Sequence, residues 1–162
     1  MPTLLNTEDH TMSSLPRLLA LSLLAALLLP TALAAQKPTP VGRWETIDDE
    51  TGASRSIVTI WEEDGKLFGK IESLFRQPGE EPDPVCDRCE GERKDQPIIG
   101  MTILWDLRRN GHEYSGGHIL DPNNGRIYRC RIAVEDDGKK LKVRGFIGFS
   151  LLGRTQYWHR VD

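Results

Sequence analysis

The chain has little cysteine, few aromatic residues and no marked excess of either charge. Three cysteines in 162 residues are too few for a small fold held together by disulfides. Its 21 Lys and Arg are offset by 24 Asp and Glu, for a net charge of −3, which argues against a dedicated nucleic-acid binder. No apolar run reaches the roughly 20 residues that a membrane-spanning helix requires. Beyond residue 35 there is no convincing amphipathic helical repeat. Gly-x-Ser-x-Gly, His-Glu-x-x-His and a phosphate-cradling glycine loop ahead of a helix are missing too. Nothing therefore demands an enzyme, a metal or an organic cofactor. At 38% apolar residues the chain is still too rich in core-forming side chains to be disordered.

What is present begins with a leader. Arg17 precedes the 12 residues Leu18–Leu29, apolar but for Ser22, and these are followed by Pro30 and Ala32-Leu33-Ala34. A cation, an apolar core of that length and a small-x-small site make a secretory signal peptide over residues 1–34, cleaved near Ala34. Glu8 and Asp9 are foreign to a leader and Met12 opens a better one, so Met12 is an alternative start. No cysteine lies near the cleavage point to take a lipid anchor. The expectation is a periplasmic or secreted protein with no membrane insertion once mature. Residues 35–40, with Pro38 and Pro40, read as a short linker, and residues 41–162 as a single domain.

That domain is punctuated by Asx-Gly pairs at Asp64-Gly65, Asn110-Gly111, Asn124-Gly125 and Asp137-Gly138, each a signal for a tight hairpin. Strand-length runs lie between them: 42–48, 54–62, 66–75, 101–108, 112–120, 126–135, 139–147 and 155–161. Tyr128, Cys130, Ile132 and Val134 alternate with polar partners, as do Leu141, Val143, Gly145 and Ile147, so these two runs are half-buried strands. Ile57 to Trp61 is nearly continuous, which suits a strand that is irregular or covered on both sides. Gly116 and Gly117 fall inside a strand and mark a bulge, a bend or a close approach. Eight strands with mostly short connections favour an all-β, up-and-down antiparallel barrel over a two-sheet sandwich.

One connection is long. Residues 76–97 hold four prolines and the pair Cys86-Asp87-Arg88-Cys89. A disulfide between Cys86 and Cys89 is the favoured reading. Zinc lacks two ligands at a recognisable spacing, and a thioredoxin-like centre lacks its helix. Cys130, on the apolar side of its strand, reads as a buried thiol, with a bridge to Cys86 or Cys89 the open alternative.

Gly42-Arg43-Trp44 at the start of the first strand, with Arg160 near the end of the last, resembles the Gly-x-Trp and closing basic residue of the calycin superfamily. That resemblance implies an indole plugging one barrel end with a guanidinium stacked over it. Counting by twos puts Trp158, read as core, on the same face as Arg160. A fuller match runs through Gly42 to Asp49, Cys86-x-x-Cys89-x-Gly91, Gly116-Gly117-His118-Ile119-Leu120-Asp121-Pro122, Arg144-Gly145-Phe146-Ile147-Gly148 and Leu151 to Trp158. These blocks resemble the DUF2147 family of exported bacterial proteins of unknown function. The resemblance implies a calycin-like barrel of about eight strands and carries no activity.

Two functions remain open. One is a periplasmic barrel binding a small apolar or amphiphilic molecule, with Arg154, Leu151 and Leu152 at its mouth and aromatics such as Trp61 on its wall. Arg154 would there face an anionic head group, while Leu151 and Leu152 either line the mouth or fold inward as a plug. The other is an interaction module for an envelope protein, or a hydrolase inhibitor, with a filled interior. His118 with Asp121 is the best acid–base pair on offer, but Asp121-Pro122-Asn123-Asn124-Gly125 is explained as turn chemistry.

Overall fold

The computed structural model describes residues 38–161, so the expected signal peptide and its cleavage point lie outside the described residues. Eight antiparallel strands follow one another: β1 (Gly42–Ile47), β2 (Ser54–Glu63), β3 (Lys66–Leu74), β4 (Thr102–Asn110), β5 (Glu113–Asp121), β6 (Arg126–Glu135), β7 (Lys140–Phe146) and β8 (Gly153–Arg160). Each pairs with the next and β8 returns to β1, so the sheet closes into an up-and-down barrel. Closure leaves no strand edge to template aggregation. Among the described residues, helix is limited to 3-10 turns at Gly91–Arg93 and Asp136–Gly138.

The alternation read from the sequence is the alternation of the wall as far as Gly145, but Ile147, read as the next inward residue, lies beyond the end of β7 and is exposed. Cys130, Ile132 and Val134 of β6 stand opposite Gly145, Val143 and Leu141 of β7, and Trp158 of β8 stands opposite Leu141. From the end where β1 starts to mid-height, the interior is filled by Trp44, Ile60, Leu67, Leu104, Leu107, Ile132, Leu141 and Trp158, all fully buried. Each contributes about 1.5–3 kcal/mol of burial. In β2 the register shifts between Ile57 and Val58, where three consecutive residues, Ser56, Ile57 and Val58, are all buried.

One strand boundary at the mouth departs from the sequence reading, and one alternative left open is decided. β8 begins at Gly153 rather than residue 155, because Phe146 pairs with Gly153 and Gly145 with Arg154. The last hairpin connection is therefore 147–152. At Gly117 a close backbone approach, more than curvature, demands glycine. A Cβ there would lie 2.2 Å from the Trp105 carbonyl oxygen, where β4 bulges at Asp106 with φ 60°.

The base of the barrel is sealed as the calycin resemblance implies. Arg160 pairs across strands with Trp44, and its guanidinium carbon lies 4.2 Å from the indole centroid. The same guanidinium donates to the carbonyls of Gly138 (2.7 Å), Val41 (3.1 Å) and Thr39 (2.6 Å). Trp44 Nε1 donates to the Pro40 carbonyl at 2.7 Å. Residues 39 and 40, expected as the end of a linker, are thus stitched into the base together with Val41.

The long loop covers part of the outside. Ile103 and Leu120 neighbour the inward-facing Leu104 and Ile119, so they point outward, yet both are buried and share one core with Cys86, Cys89 and Met101. Cys86 is bonded to Cys89, and Cys130 is free and buried. The disulfide segment rests on the β5–β6 turn, where Gly125 has φ +71° and a Cβ would come within 1.9 Å of the Arg88 carbonyl oxygen. Only glycine fits both demands. The oxidised Cys86 Sγ touches the Pro122 carbonyl oxygen at 3.5 Å, a contact without a proton to donate.

Candidate functional site at the barrel mouth

The end opposite the base gathers the connections 48–53, 75–101, 122–125 and 147–152. Here the interior wall thins. Ile119 of β5 pairs with Tyr128 of β6, and a Cβ placed on Gly145 of β7 would lie 3.5 Å from both the Ile119 Cγ2 and the Tyr128 Cβ. These three positions are therefore contiguous. Along β7 the inward series runs Leu141, Val143, Gly145, so side-chain volume falls toward the mouth. Ile119, Tyr128, Gly145 and Gln156 are half-buried, whereas Cys130, Val143 and Trp158, one pleat below on their strands, are buried. The mouth is therefore rimmed by half-buried side chains above a packed base, a shallow cup of Ile119, Tyr128, Gly145 and Gln156.

Polar groups ring this cup. Arg154 Nε donates to Asp49 Oδ2 at 2.7 Å and Arg154 Nη2 to Asp49 Oδ1, a two-pronged pair that ties β8 to the turn after β1. The Arg154 guanidinium, ahead of the Gln156 amide, holds the Asp49 carboxyl below the usual aspartate range, and Asp49 raises Arg154 in return. Asp48 stays with its own turn. The Thr51 backbone and hydroxyl, then Arg55, bring its pKa down to about 2. The Thr46 and Ser56 hydroxyls bond each other at 2.8 Å where β1 meets β2, both buried. Asn124 Nδ2 donates to the Tyr128 hydroxyl at 3.1 Å, which steadies the phenol at the rim.

The cup can therefore offer apolar contact from Ile119 and Tyr128, together with donors and acceptors from Arg154, Gln156 and Asp49. Because Asp49 already meets the charge of Arg154, a second anion gains little there. A neutral hydrogen-bonding or zwitterionic group suits the pair better.

The four side chains expected to line a ligand site are not brought together. Arg154 is at the mouth. Leu151 and Leu152 sit on the 147–152 turn and are 89% and 73% exposed, so they are neither plug nor wall. Trp61 alternates with the inward Ile60, so it stands outside, near the base, with its ring stacked on Phe68 at 5.8 Å. Gly42, Trp44, Trp158 and Arg160 do belong to one structure, the base.

His118 and Asp121 go separate ways. His118 stacks on Trp105 at 5.7 Å beneath the Arg93 guanidinium, while Asp121 accepts from Asn123 N and Asn124 Nδ2 to shape the β5–β6 turn. Asp49, Gln156, Ile119, Tyr128 and Gly145 were not singled out as site residues from the sequence. A legible signal existed for Gly145, a glycine in an inward apolar series.

An antiparallel eight-stranded barrel, closed at one end by a tryptophan–arginine stack and open at the other, is a calycin-type barrel. The chain belongs to the DUF2147 family, described as "Uncharacterized protein conserved in bacteria", which matches residues 42–160. A solved structure, described as "Protein HP1028 from the human pathogen Helicobacter pylori belongs to the lipocalin family", is similar in fold. It has a TM-score of 0.66 and 21% identity over 77% of this chain and 84% of that one. No curated protein matches the chain.

Proposed function

We propose that the protein is an exported, non-catalytic binding barrel that takes one small amphiphile at its mouth. Its polar end would meet Asp49, Arg154 and Gln156, and its apolar end the Ile119–Tyr128 wall. The observation that carries this reading is Gly145, the point where the inward series loses its side chains beside two half-buried apolar residues. Eight-stranded barrels hold at most one small ligand, and the packed lower interior restricts this one to the upper end. The leader pattern supports export.

The experiment is native mass spectrometry of protein purified from its own cell envelope, with Gly145→Val alongside. Gly145 has no left-handed φ and a Cβ there would make only van der Waals contacts with Ile119 and Tyr128, so the backbone accepts a side chain that crowds the space between them. We expect an added mass on the wild type that is lost in the variant, with the circular dichroism unchanged. An adduct equally retained by Gly145→Val, or no uptake of any molecule from an envelope lipid extract, refutes the reading.

A further inference from the structure

We propose that the β7–β8 corner of the mouth is a docking surface for a bilayer carrying anionic phospholipid. This holds whether or not the cup takes a ligand. The connection 147–152 projects four apolar side chains: Ile147, Phe149, Leu151 and Leu152 are 59%, 82%, 89% and 73% exposed. Single exposed apolar residues are ordinary, but four within six residues at one tip form a patch that calls for a partner.

The tip is held in place rather than loose. Arg144 Nε and Nη2 donate to the Ser150 carbonyl at 2.9 and 2.5 Å, and Arg144 Nη1 to Thr155 Oγ1 at 2.7 Å. Ile147 N donates to the Leu152 carbonyl at 3.3 Å, closing the turn.

Behind the tip lies a belt of cations on the outer wall. Arg131 of β6 stands directly opposite Arg144 of β7, with Arg129 opposite Phe146 and Lys142 opposite Ala133. Like charges directly opposite each other destabilise a sheet. The neighbouring acids do little to offset this. Glu113 reaches Arg131 only at 3.8 Å, Glu135 reaches Lys142 at 3.5 Å from the base end of β6, and Arg129 has no ion-pair partner among the described residues. An open groove of about 590 Å³ runs along this wall, where Arg131, Lys142 and Arg144 outnumber Glu113 and Glu135 beside Leu151 and Tyr157.

An apolar tip backed by arginines and a half-exposed tyrosine is the arrangement of a surface that lies on a membrane. The tip sinks among the acyl chains while the guanidinia meet phosphates. A convex tip also suits a fluid bilayer better than the matched hollow a protein partner would have to supply. The same cations rule out spanning, since they would face lipid on the outer wall of the barrel.

The test places an environment-sensitive fluorophore at Leu152→Cys, with Lys70→Cys on β3 as the control. Cys86 and Cys89 are bonded and Cys130 is buried, so the introduced thiol is the one that labels under native conditions. The purified protein is mixed with vesicles of phosphatidylcholine alone and of phosphatidylcholine with phosphatidylglycerol. We expect a blue shift at position 152 with the anionic vesicles, reversed by salt, and none at position 70.

Partitioning should fall roughly fivefold for each of Arg129→Gln and Arg131→Gln, and be lost when Phe149, Leu151 and Leu152 are all replaced by Ser. Every protein compared carries the same N-terminus, so a retained leader cancels between them. A label at 152 that stays wet, a shift of equal size at position 70, or partitioning untouched by the serine variant overturns the proposal.

Discussion

Replacing Arg160 by Ala removes one side chain that does three jobs at the base. It takes away the planar cation 4.2 Å from the Trp44 centroid, an interaction of about 1–2 kcal/mol when partly desolvated. It frees the carbonyls of Thr39, Val41 and Gly138, which had a charged donor at 2.6, 3.1 and 2.7 Å. Water can reach some of these groups, so the loss is well below three full charge-assisted hydrogen bonds, each worth about 1.5–3 kcal/mol. It also strips the aliphatic stem from the rim of the indole. The expected total is about 2–3 kcal/mol.

Urea unfolding followed by tryptophan fluorescence measures this, and the folded-state emission should shift to the red as water reaches Trp44. Arg160→Lys should recover less than half, because an ammonium offers one point charge and no stacking plane. A loss below about 0.5 kcal/mol for Arg160→Ala, or full recovery by lysine, would refute the view that planar stacking seals the base.

Three further outcomes follow from described geometry. Alkylation without reductant should label no cysteine in the folded protein and only Cys130 after denaturation, since burial pushes that thiol up to about 12 and the other two sulfurs are bonded; peptide mapping reads the site. Gly117→Ala should destabilise by about 2–4 kcal/mol in chemical unfolding, because its methyl would collide with the β4 backbone at 2.2 Å; an unchanged midpoint would mean the bulge can slide.

Acid should loosen the barrel through its paired carboxylates. Arg43, then Thr59, lowers Glu72 from 4.5 to about 2, and Asp49 is lowered by Arg154. Both are depressed in the folded state, so their stabilisation is full above the unfolded-state pKa and lost as pH falls through the folded one. Melting temperature should drop between about pH 5 and pH 2, and Asp49→Asn should flatten part of that drop.

The barrel was legible because most strands bury a single face. On β6 and β7 the inward residues alternate with Arg129, Arg131, Lys142 and Arg144, so period two survives in the sequence. The Trp44–Arg160 seal was legible through the calycin resemblance, and closure gives its physical reason by bringing the first and last strands together. What stayed hidden has a physical cause in each case. Ile103 and Leu120 are covered from outside by the disulfide loop, and a strand buried on both faces gives no alternation to read. Asp49 and Arg154 are 105 residues apart, and Asp49 looks like turn chemistry beside Asp48 until the barrel closes. Gly145 reads as one more inward position, and only its contacts show that Ile119 and Tyr128 meet over it. The exposure of Leu151 and Leu152 depends on hairpin register, which closes at Phe146 and Gly153 rather than at residues 147 and 155.

The seam between β1 and β8 joins the two parts of the domain that are farthest apart along the chain. Every other pairing joins strands that follow each other along the chain and can form as soon as both exist, but this one has to wait for the eighth strand. Until then both terminal strands are raw edges, and Trp44 has no guanidinium above it. Assembly is therefore gated by its final step, and a chain cut short by even one strand does not lose an eighth of its structure. It loses the ring, and is left with two adhesive borders on an open sheet.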